Sequence, residues 1–412
     1  MVSIRLFGNK HFFKLTLYIN QTYMKSKNIL FIQIMILVLT TSCNYSPQNV
    51  TQSWVDSIAR YGSEEFMPAK KYKWGWGEAV MLNGYVHLYN NKPNEKYKDY
   101  IRTAMDITYN TANGHHPNAV ASGLGMAFLA RQKEDDKYLE KANQIFIDYK
   151  RIPVALNGGV SHRPNTIELW DDTVYMIGIY LKEMYQLTDD TKYLDIWMEQ
   201  FLAHKEKLQD EKWGLWVHGY DDDNEDFDDN CCQYGWANMT PERKSIEFWG
   251  RGNGWIIMMI SDFLQIYPKG SQEYQFLANE LKRMVNPLIS LQDKETGLWR
   301  QLPIHTDIPE NYLESTCTAM FAYGMSVGVR LGILDEEAYI NTIQRAYRGL
   351  RKNAMKQEGA YLIPTRVCLG TCIGDPEYYY KRPTGEGVDY AIGIYIMFGL
   401  EYERLTNNIT HS

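Results

Sequence analysis

The 412-residue chain lacks the charge excess, the long apolar runs and the fixed repeat that would place it among nucleic-acid binders, membrane spanners or linear solenoids. Lys and Arg number 43 against 50 Asp and Glu, and a net charge of -7 argues against a nucleic-acid partner. No low-complexity tract interrupts a composition that is 45% hydrophobic and 23% charged, as in ordinary globular proteins. No segment alternates in the manner of a strand, and no fixed period of about 34 residues supports a tetratricopeptide array. Cysteine is sparse. Beyond Cys43, the residues Cys231, Cys232, Cys317, Cys368 and Cys372 form no paired CxxC motifs and have no neighbouring His, so no metal is expected. They read mostly as buried thiols. The vicinal Cys231 and Cys232 cannot easily bridge each other, whereas Cys368 and Cys372 could close a loop.

The amino-terminal apolar run from Asn28 to Leu39 is too short for a comfortable membrane span. It follows the basic start Met24-Lys25-Ser26-Lys27 and leads into Thr40-Thr41-Ser42-Cys43, the pattern of a secretory signal. Translation is expected to start at Met24, with residues 1–43 an upstream extension plus signal, 44–60 a polar linker and 61–412 the folded domain. Small residues before a lone cysteine resemble a bacterial lipobox, with Thr40 where Leu is usual. Two outcomes follow: a lipid on Cys43 that attaches the protein to a membrane, or plain cleavage. Either way an exported bacterial protein is expected, periplasmic or held at the outer membrane.

What is abundant is aromatic: 14% of residues, including 31 Tyr and 11 Trp. Such rings fill cores and also stack on sugar faces. Helical patterns open at Lys96-Tyr97, Lys137-Tyr138, Lys192-Tyr193, Glu273-Tyr274 and Ala338-Tyr339, at irregular spacing. Apolar residues recur three and four apart, as in Val174, Ile177, Leu181 and in Ile256, Met259, Ile260, Phe263. Between the helices lie Trp213-Gly214-Leu215-Trp216, Thr296-Gly297-Leu298-Trp299 and Gly158-Gly159-Val160, where glycine permits a tight turn. Hairpins of this kind must bury their apolar faces on one another. About a dozen helices between Ser53 and Leu405 predict an all-α fold, a toroid of six helical hairpins, or (α/α)6 barrel.

Loops at one end of such a ring form a bowl, so motifs at helix starts are candidates for function. Trp170-Asp171-Asp172-Thr173-Val174-Tyr175-Met176 places two carboxylates at a helix start. One of them is expected to cap the helix, and the other to sit in a partly dry cleft that raises its pKa toward proton donation. Phe248-Trp249-Gly250-Arg251-Gly252-Asn253-Gly254-Trp255 interleaves glycines with Arg for a carboxylate and Trp for a sugar face. His162 and His218 follow loop glycines. The run Asp221-Asp222-Asp223-Asn224-Glu225-Asp226 reads chiefly as a solvated acidic loop.

In their order, Trp74-Gly75-Trp76, the His162 loop, Trp170-Asp171-Asp172, His218-Gly219, the Trp249 to Trp255 cluster, Asn311-Tyr312-Leu313-Glu314-Ser315 and Gly374-Asp375-Pro376 resemble glycoside hydrolase family 105, from about residue 60 onward. That family has an (α/α)6 barrel and contains unsaturated rhamnogalacturonyl hydrolases and enzymes acting on ulvan fragments. The resemblance implies that Asp172 is the catalytic acid and that Trp76, His162, His218, Trp249, Arg251 and Trp255 line the sugar pocket. It departs at Asn118, where relatives often carry a second Asp; Asn orients a hydroxyl or water but exchanges no proton. The implied substrate is an unsaturated acidic oligosaccharide of rhamnogalacturonan or ulvan type, and no cofactor is implied. Two rivals remain: a polysaccharide lyase on a similar toroid and a non-catalytic glycan-binding lipoprotein.

Overall fold

A computed structural model describes residues 53–224 and 231–411, with side chains through 407; Cys43, the expected signal and Glu225-Asp226 lie outside the described residues. From Ser53 onward the chain forms one compact unit. Its helices in order are α1 (Val55–Arg60), α2 (Trp76–Asn91), α3 (Glu95–Thr108), α4 (Pro117–Arg131), α5 (Asp136–Tyr149), α6 (Asp171–Thr188), α7 (Lys192–Leu208), α8 (Gly250–Leu264), α9 (Gln272–Leu291), α10 (Ser315–Arg330), α11 (Glu336–Asn353), α12 (Pro376–Tyr380) and α13 (Asp389–His411). Helices α2, α4, α6, α8, α10 and α13 pack each against the next, and α13 returns to α2, so the inner ring closes. Helices α3, α5, α7, α9 and α11 each pack on the outside of the inner helix before them in the chain. The sixth outer position belongs to α1, which packs on α13, so the last hairpin joins the two ends of the described chain.

This is the (α/α)6 barrel expected, with one difference at its start. Residues 53–60, expected as the end of a linker, carry Trp54, Val55, Ile58 and Ala59 into the core with no exposure. Trp54 stacks on Tyr347 and donates its indole N–H to the Tyr395 carbonyl, 2.9 Å away.

Sequence explains the two layers. Outer helices bury a single stripe: α3 covers Tyr97, Tyr100, Ile101, Ala104, Met105 and Thr108 and leaves its charged side to water. Inner helices are buried nearly all round and use small residues to approach one another. In α4, Ala119, Ala121, Ser122, Gly123, Gly125 and Ala127 do this. Where α2 meets α13, a Cβ on Gly84 would lie 2.6 Å from the Gly393 Cα, so the ring closes backbone to backbone. The two glycine turns after outer helices are built alike. Gly214 (φ +68°) and Gly297 (φ +77°) have positive φ, and Asp210 and Asp293 each accept a backbone N–H within the turn at 2.7 Å. The residues that follow, Leu215-Trp216 and Leu298-Trp299, are fully buried.

Four short two-stranded ribbons, absent from the all-helical expectation, decorate the barrel. The ribbon of β1 (Glu168–Trp170) and β2 (Gly219–Asp221) pairs Trp170 with Gly219. The ribbon of β3 (Trp299–Arg300) and β4 (Leu313–Glu314) runs directly into α10. The remaining ribbons are β5 (Met355–Glu358) with β6 (Tyr361–Pro364) and β7 (Val367–Cys368) with β8 (Thr384–Gly385).

Candidate active site

Residues from the starts of α2, α4, α6 and α8 converge on one cleft of about 480 Å³. The helices therefore aim their unsatisfied N–H groups and positive dipole ends toward that end of the barrel, which favours an anionic ligand. The cleft receives Trp76 from α2, His116 and Asn118 from the start of α4, Asp172 from α6, and Trp249 and Arg251 from the start of α8. His162, Arg163 and Trp170 come from the loop and strand before α6, and Cys231 with Gly370, Thr371 and Cys372 closes another wall.

The β1–β2 ribbon assembles the acidic centre. Because Trp170 pairs with Gly219, the next residue on one strand and the preceding residue on the other stand opposite each other: Asp171 donates its backbone N–H to the His218 carbonyl at 3.1 Å. His218 Nε2 then lies 3.3 Å from Asp172 Oδ2 and 4.0 Å from Asp171 Oδ1, while Nδ1 is 2.8 Å from the Tyr379 hydroxyl. Trp249 stacks on the other face of the His218 ring at 4.4 Å. His218 is thus placed beneath the cleft and not on its wall, with no exposure. It touches Asp172, so the expectation of a sugar-lining residue is corrected to one that contacts the carboxylate.

Trp255 is a second correction. It lies one and a half turns into α8, is fully buried and packs on Tyr175 at 4.4 Å in the barrel core. A helix that starts at Gly250 points residues 251 and 255 along one face, but 255 is already below the floor.

The two carboxylates differ from expectation in the opposite sense. Asp171 makes no cap: no side-chain hydrogen bond closes the start of α6, and both Asp171 oxygens are buried without a hydrogen-bond partner among the described residues. Burial first, and the neighbouring charge of Asp172 second, push the Asp171 carboxyl well above the usual range. Burial also acts on Asp172, but the contact with His218 and the charges of His218, His162 and Arg251 outweigh it and hold Asp172 below that range. Room for Asp171 comes from Gly252, where a Cβ would lie 2.0 Å from Asp171 Oδ2.

The remaining predicted residues fall as follows. His162 stacks on Trp170 at 4.6 Å, with Nδ1 3.0 Å from the Thr173 hydroxyl and Nε2 3.4 Å from the Asn118 amide. Burial pulls its pKa down to about 3, so it works as a neutral ring. Trp76 stacks on Tyr390 at 4.8 Å. Arg251 lies between the Trp249 and Tyr390 rings and spends its terminal nitrogens on the Cys368 and Leu369 carbonyls, at 2.6 and 3.2 Å. It therefore braces the 368–372 wall while lining the cleft, and its two-point pairing is directed at backbone.

Sequence reasoning missed His116, Arg163 and the cysteine wall. His116 directly precedes α4, and Arg163 directly follows His162, so adjacency to chosen residues was the available signal. Cys231 and Cys372 form a disulfide with Cα atoms 5.7 Å apart, in place of the mostly free thiols expected; Cys317 and Cys368 are buried free thiols. The acidic run is also not simply solvated. Asp222 accepts from the Leu156 N–H and Asp223 from the Ile167 N–H, which fixes the loop beside β1. Among the described residues, the one group with the spacing of metal ligands is Asp171, Asp172 and His218, within 4.8 Å of one another. The His218 contact to Asp172 and the dry Asp171 suit this trio to holding a proton.

Comparison with known proteins places the family and the fold. The family model described as Glycosyl Hydrolase Family 88 matches residues 47–406. The unsaturated rhamnogalacturonyl hydrolase YesR of Bacillus subtilis (strain 168) is 25% identical over 337 residues, 78% of this chain and 88% of that protein. An unsaturated 3S-rhamnoglycuronyl hydrolase of Alteromonas sp. (strain LOR) is 24% identical over 237 residues, 57% of this chain and 53% of that protein. The structure of a family 105 glycoside hydrolase from C. acetobutylicum ATCC 824 superposes with a TM-score of 0.75 at 22% identity, covering 86% of this chain and all of that one.

Proposed function

The chain belongs to glycosyl hydrolase family 88, and from that premise we propose that it is a hydrolase removing a 4,5-unsaturated uronic acid from the non-reducing end of an oligosaccharide, with Asp172 as the acid. The observation that carries the reading is Asp172 itself, in contact with His218, at the floor of an aromatic cleft onto which helix amino termini converge.

Ordinary glycosidases use two carboxylates at the anomeric carbon. Here the substrate's C4=C5 bond is an enol ether, joined to the ring oxygen, and it can take a proton directly. Asp172 protonates C4, and the cation left at C5 is shared with the ring oxygen. Water adds at C5 and returns its proton to Asp172. The hemiketal so formed breaks its C5–O bond to a ketone, and the freed C1 expels the remaining sugar. Trp76 offers a face to the flattened ring, and Asn118 with neutral His162 orients a hydroxyl or the water. Arg163, whose guanidinium lies over the Trp170 ring at 5.4 Å, stands on the cleft wall where a carboxylate is attracted. The names of the relatives, a rhamnogalacturonyl and a 3S-rhamnoglycuronyl hydrolase, favour a chain of rhamnose and a uronic acid, and the two candidate sources are rhamnogalacturonan and ulvan. The same reading keeps the protein exported, with Cys43 as the candidate lipid anchor.

Asp172→Asn preserves shape and removes the proton, so loss of the substrate's ultraviolet absorbance should stop. Turnover by that variant would refute the assignment. A rise in absorbance on intact polysaccharide would instead identify a lyase, and unchanged sugar with retained binding a glycan-binding protein. Side-by-side assays on lyase-digested ulvan and lyase-digested rhamnogalacturonan decide the substrate.

A further inference from the structure

An acid that sits below the usual carboxylate range is mostly ionised at neutral pH, so the proton required at C4 has to be kept close by. The step proposed for Asp172 makes no use of Asp171, although Asp171 is fully buried behind the cleft lining and lies next to Asp172 in the chain. Three features of its surroundings bear on this. Asp171 has no exposure, and its oxygens meet no partner beyond the neighbouring Asp172, whose carboxyl and backbone N–H approach them. A buried carboxylate in that state is costly as an anion and far less so as an acid. Next, His218 Nε2 lies between the two carboxyls, 3.3 Å from Asp172 and 4.0 Å from Asp171, and its other nitrogen is tied to Tyr379, so the ring is held in place. Last, Gly252 leaves a gap that only the Asp171 carboxyl fills.

We propose that Asp171 is a positioning residue that stores the acid proton: Asp171 and Asp172 hold one proton between them beside His218, and Asp171 returns it to Asp172 when substrate is bound. This rests on Asp172 being the acid. The step is balanced. An O–H bond breaks on Asp171 and one forms on Asp172; Asp172 passes the proton to C4, and the attacking water replaces it, so the pair ends each turnover with one proton again. The groups that face the pair are His218 from the residue before β2, Arg251 from α8, Tyr379 from α12 and, on the Asp172 side, His162 from the loop before β1. Of these, Arg251, His162 and His218 favour the ionised form of Asp172. Burial opposes it and stays when Asp171 is replaced, whereas the carboxyl that shares the proton is lost, so Asp171 is the group whose loss changes the outcome.

The experiment compares wild type, Asp171→Asn and Asp172→Asn on one unsaturated disaccharide across pH. Without a second carboxylate, Asp172 loses its proton at lower pH. The alkaline limb of kcat for Asp171→Asn should therefore move to lower pH by about one unit or more, costing ~10-fold or more in kcat on that limb, with KM little changed. A limb that stays in place while activity falls uniformly would show a merely structural role and overturn the proposal. If Asp171→Asn has no measurable activity, infrared spectroscopy of the free enzymes decides. A protonated carboxyl band present in wild type at pH 7 and missing from Asp171→Asn supports the store; a band retained in the variant overturns it. Activity in Asp172→Asn would instead refute the underlying reading and would leave the infrared result standing on its own.

Discussion

Replacing Gly252 by Ala sets two effects of opposite sign against each other. In a helix the substitution ordinarily stabilises by ~0.5–1 kcal/mol, because Ala loses less backbone freedom than Gly. At position 252 the added Cβ would lie 2.0 Å from Asp171 Oδ2, 2.6 Å from its Cγ and 2.7 Å from Oδ1. Ordinary carbon–oxygen contact is about 3.4 Å, so the carboxyl has to retreat by more than ~1 Å. Asp171 has no exposure, so its retreat is made against packed neighbours, and overpacking of this kind costs ~1–3 kcal/mol. The steric term wins, and a net loss of ~1–2 kcal/mol is expected. Function should suffer more than stability. A displacement of that size beside the reacting group costs on the order of 100-fold in rate, and Asp172 follows Asp171 in the chain. Thermal unfolding and the loss of substrate absorbance measure the two. A Gly252→Ala protein as stable as wild type and with its full kcat would refute the packing argument and the placement of Asp171 together.

Two other perturbations act away from that contact. At the opposite ends of the inner helices, Lys182 Nζ lies 2.6 Å from Asp262 Oδ2 with both side chains almost enclosed. Burial alone raises the Asp262 carboxyl, but Lys182 and His87 outweigh it and hold it far below the usual range. A depressed carboxylate contributes stability that is present above its unfolded pKa of about 4 and is lost as pH falls through the folded value. Lys182→Met, which leaves the buried carboxylate with only His87 and the Tyr323 hydroxyl as partners, should cost up to ~3 kcal/mol at neutral pH and flatten the acid side of the stability profile; an unchanged denaturation midpoint refutes this. The Cys231–Cys372 bridge spans 141 residues and forms part of the cleft wall. Serine at both positions should cost up to about 5 kcal/mol and raise KM more than it lowers kcat, whereas equal KM in oxidised, reduced and variant protein would remove the bridge from the site.

The barrel was legible because its signal is periodic and redundant. Apolar residues three and four apart mark inner helices such as α6 and α8, the recurring Tyr97, Tyr138, Tyr193, Tyr274 and Tyr339 open the outer ones, and the Asp-x-x-x-Gly-Leu-Trp turns at Asp210 and Asp293 mark two returns to the core. The short ribbons were not legible, since strands of two to four residues are too brief to alternate, and the β1–β2 ribbon exists only because two separate loops, each leading from an outer helix to the next inner one, pair with each other. Helix α1 escaped for a similar reason. Six residues hold too few turns for a helical pattern, and its apolar face has meaning only against α13, which arrives more than three hundred residues later.

In the site, sequence identified which residues gather and failed at their depth. Asp172, Trp76, Asn118, His162, Trp249 and Arg251 all reach the cleft, because each sits at or just before an inner helix start or in the loop leading to one. Trp255 and His218 do not, because a turn of helix or one residue of strand register moves a side chain from wall to core. Neighbouring acids show the limit most sharply. Asp171 and Asp172 are the same residue type at adjacent positions, and propensity assigns both to helix-start duty. What separates them is a ribbon register that sets His218 against Asp172, and a glycine on a helix eighty residues away that admits Asp171 and excludes water from it. Both are tertiary facts, and together they turn a repeated letter into one dry carboxyl and one carboxylate held by His218.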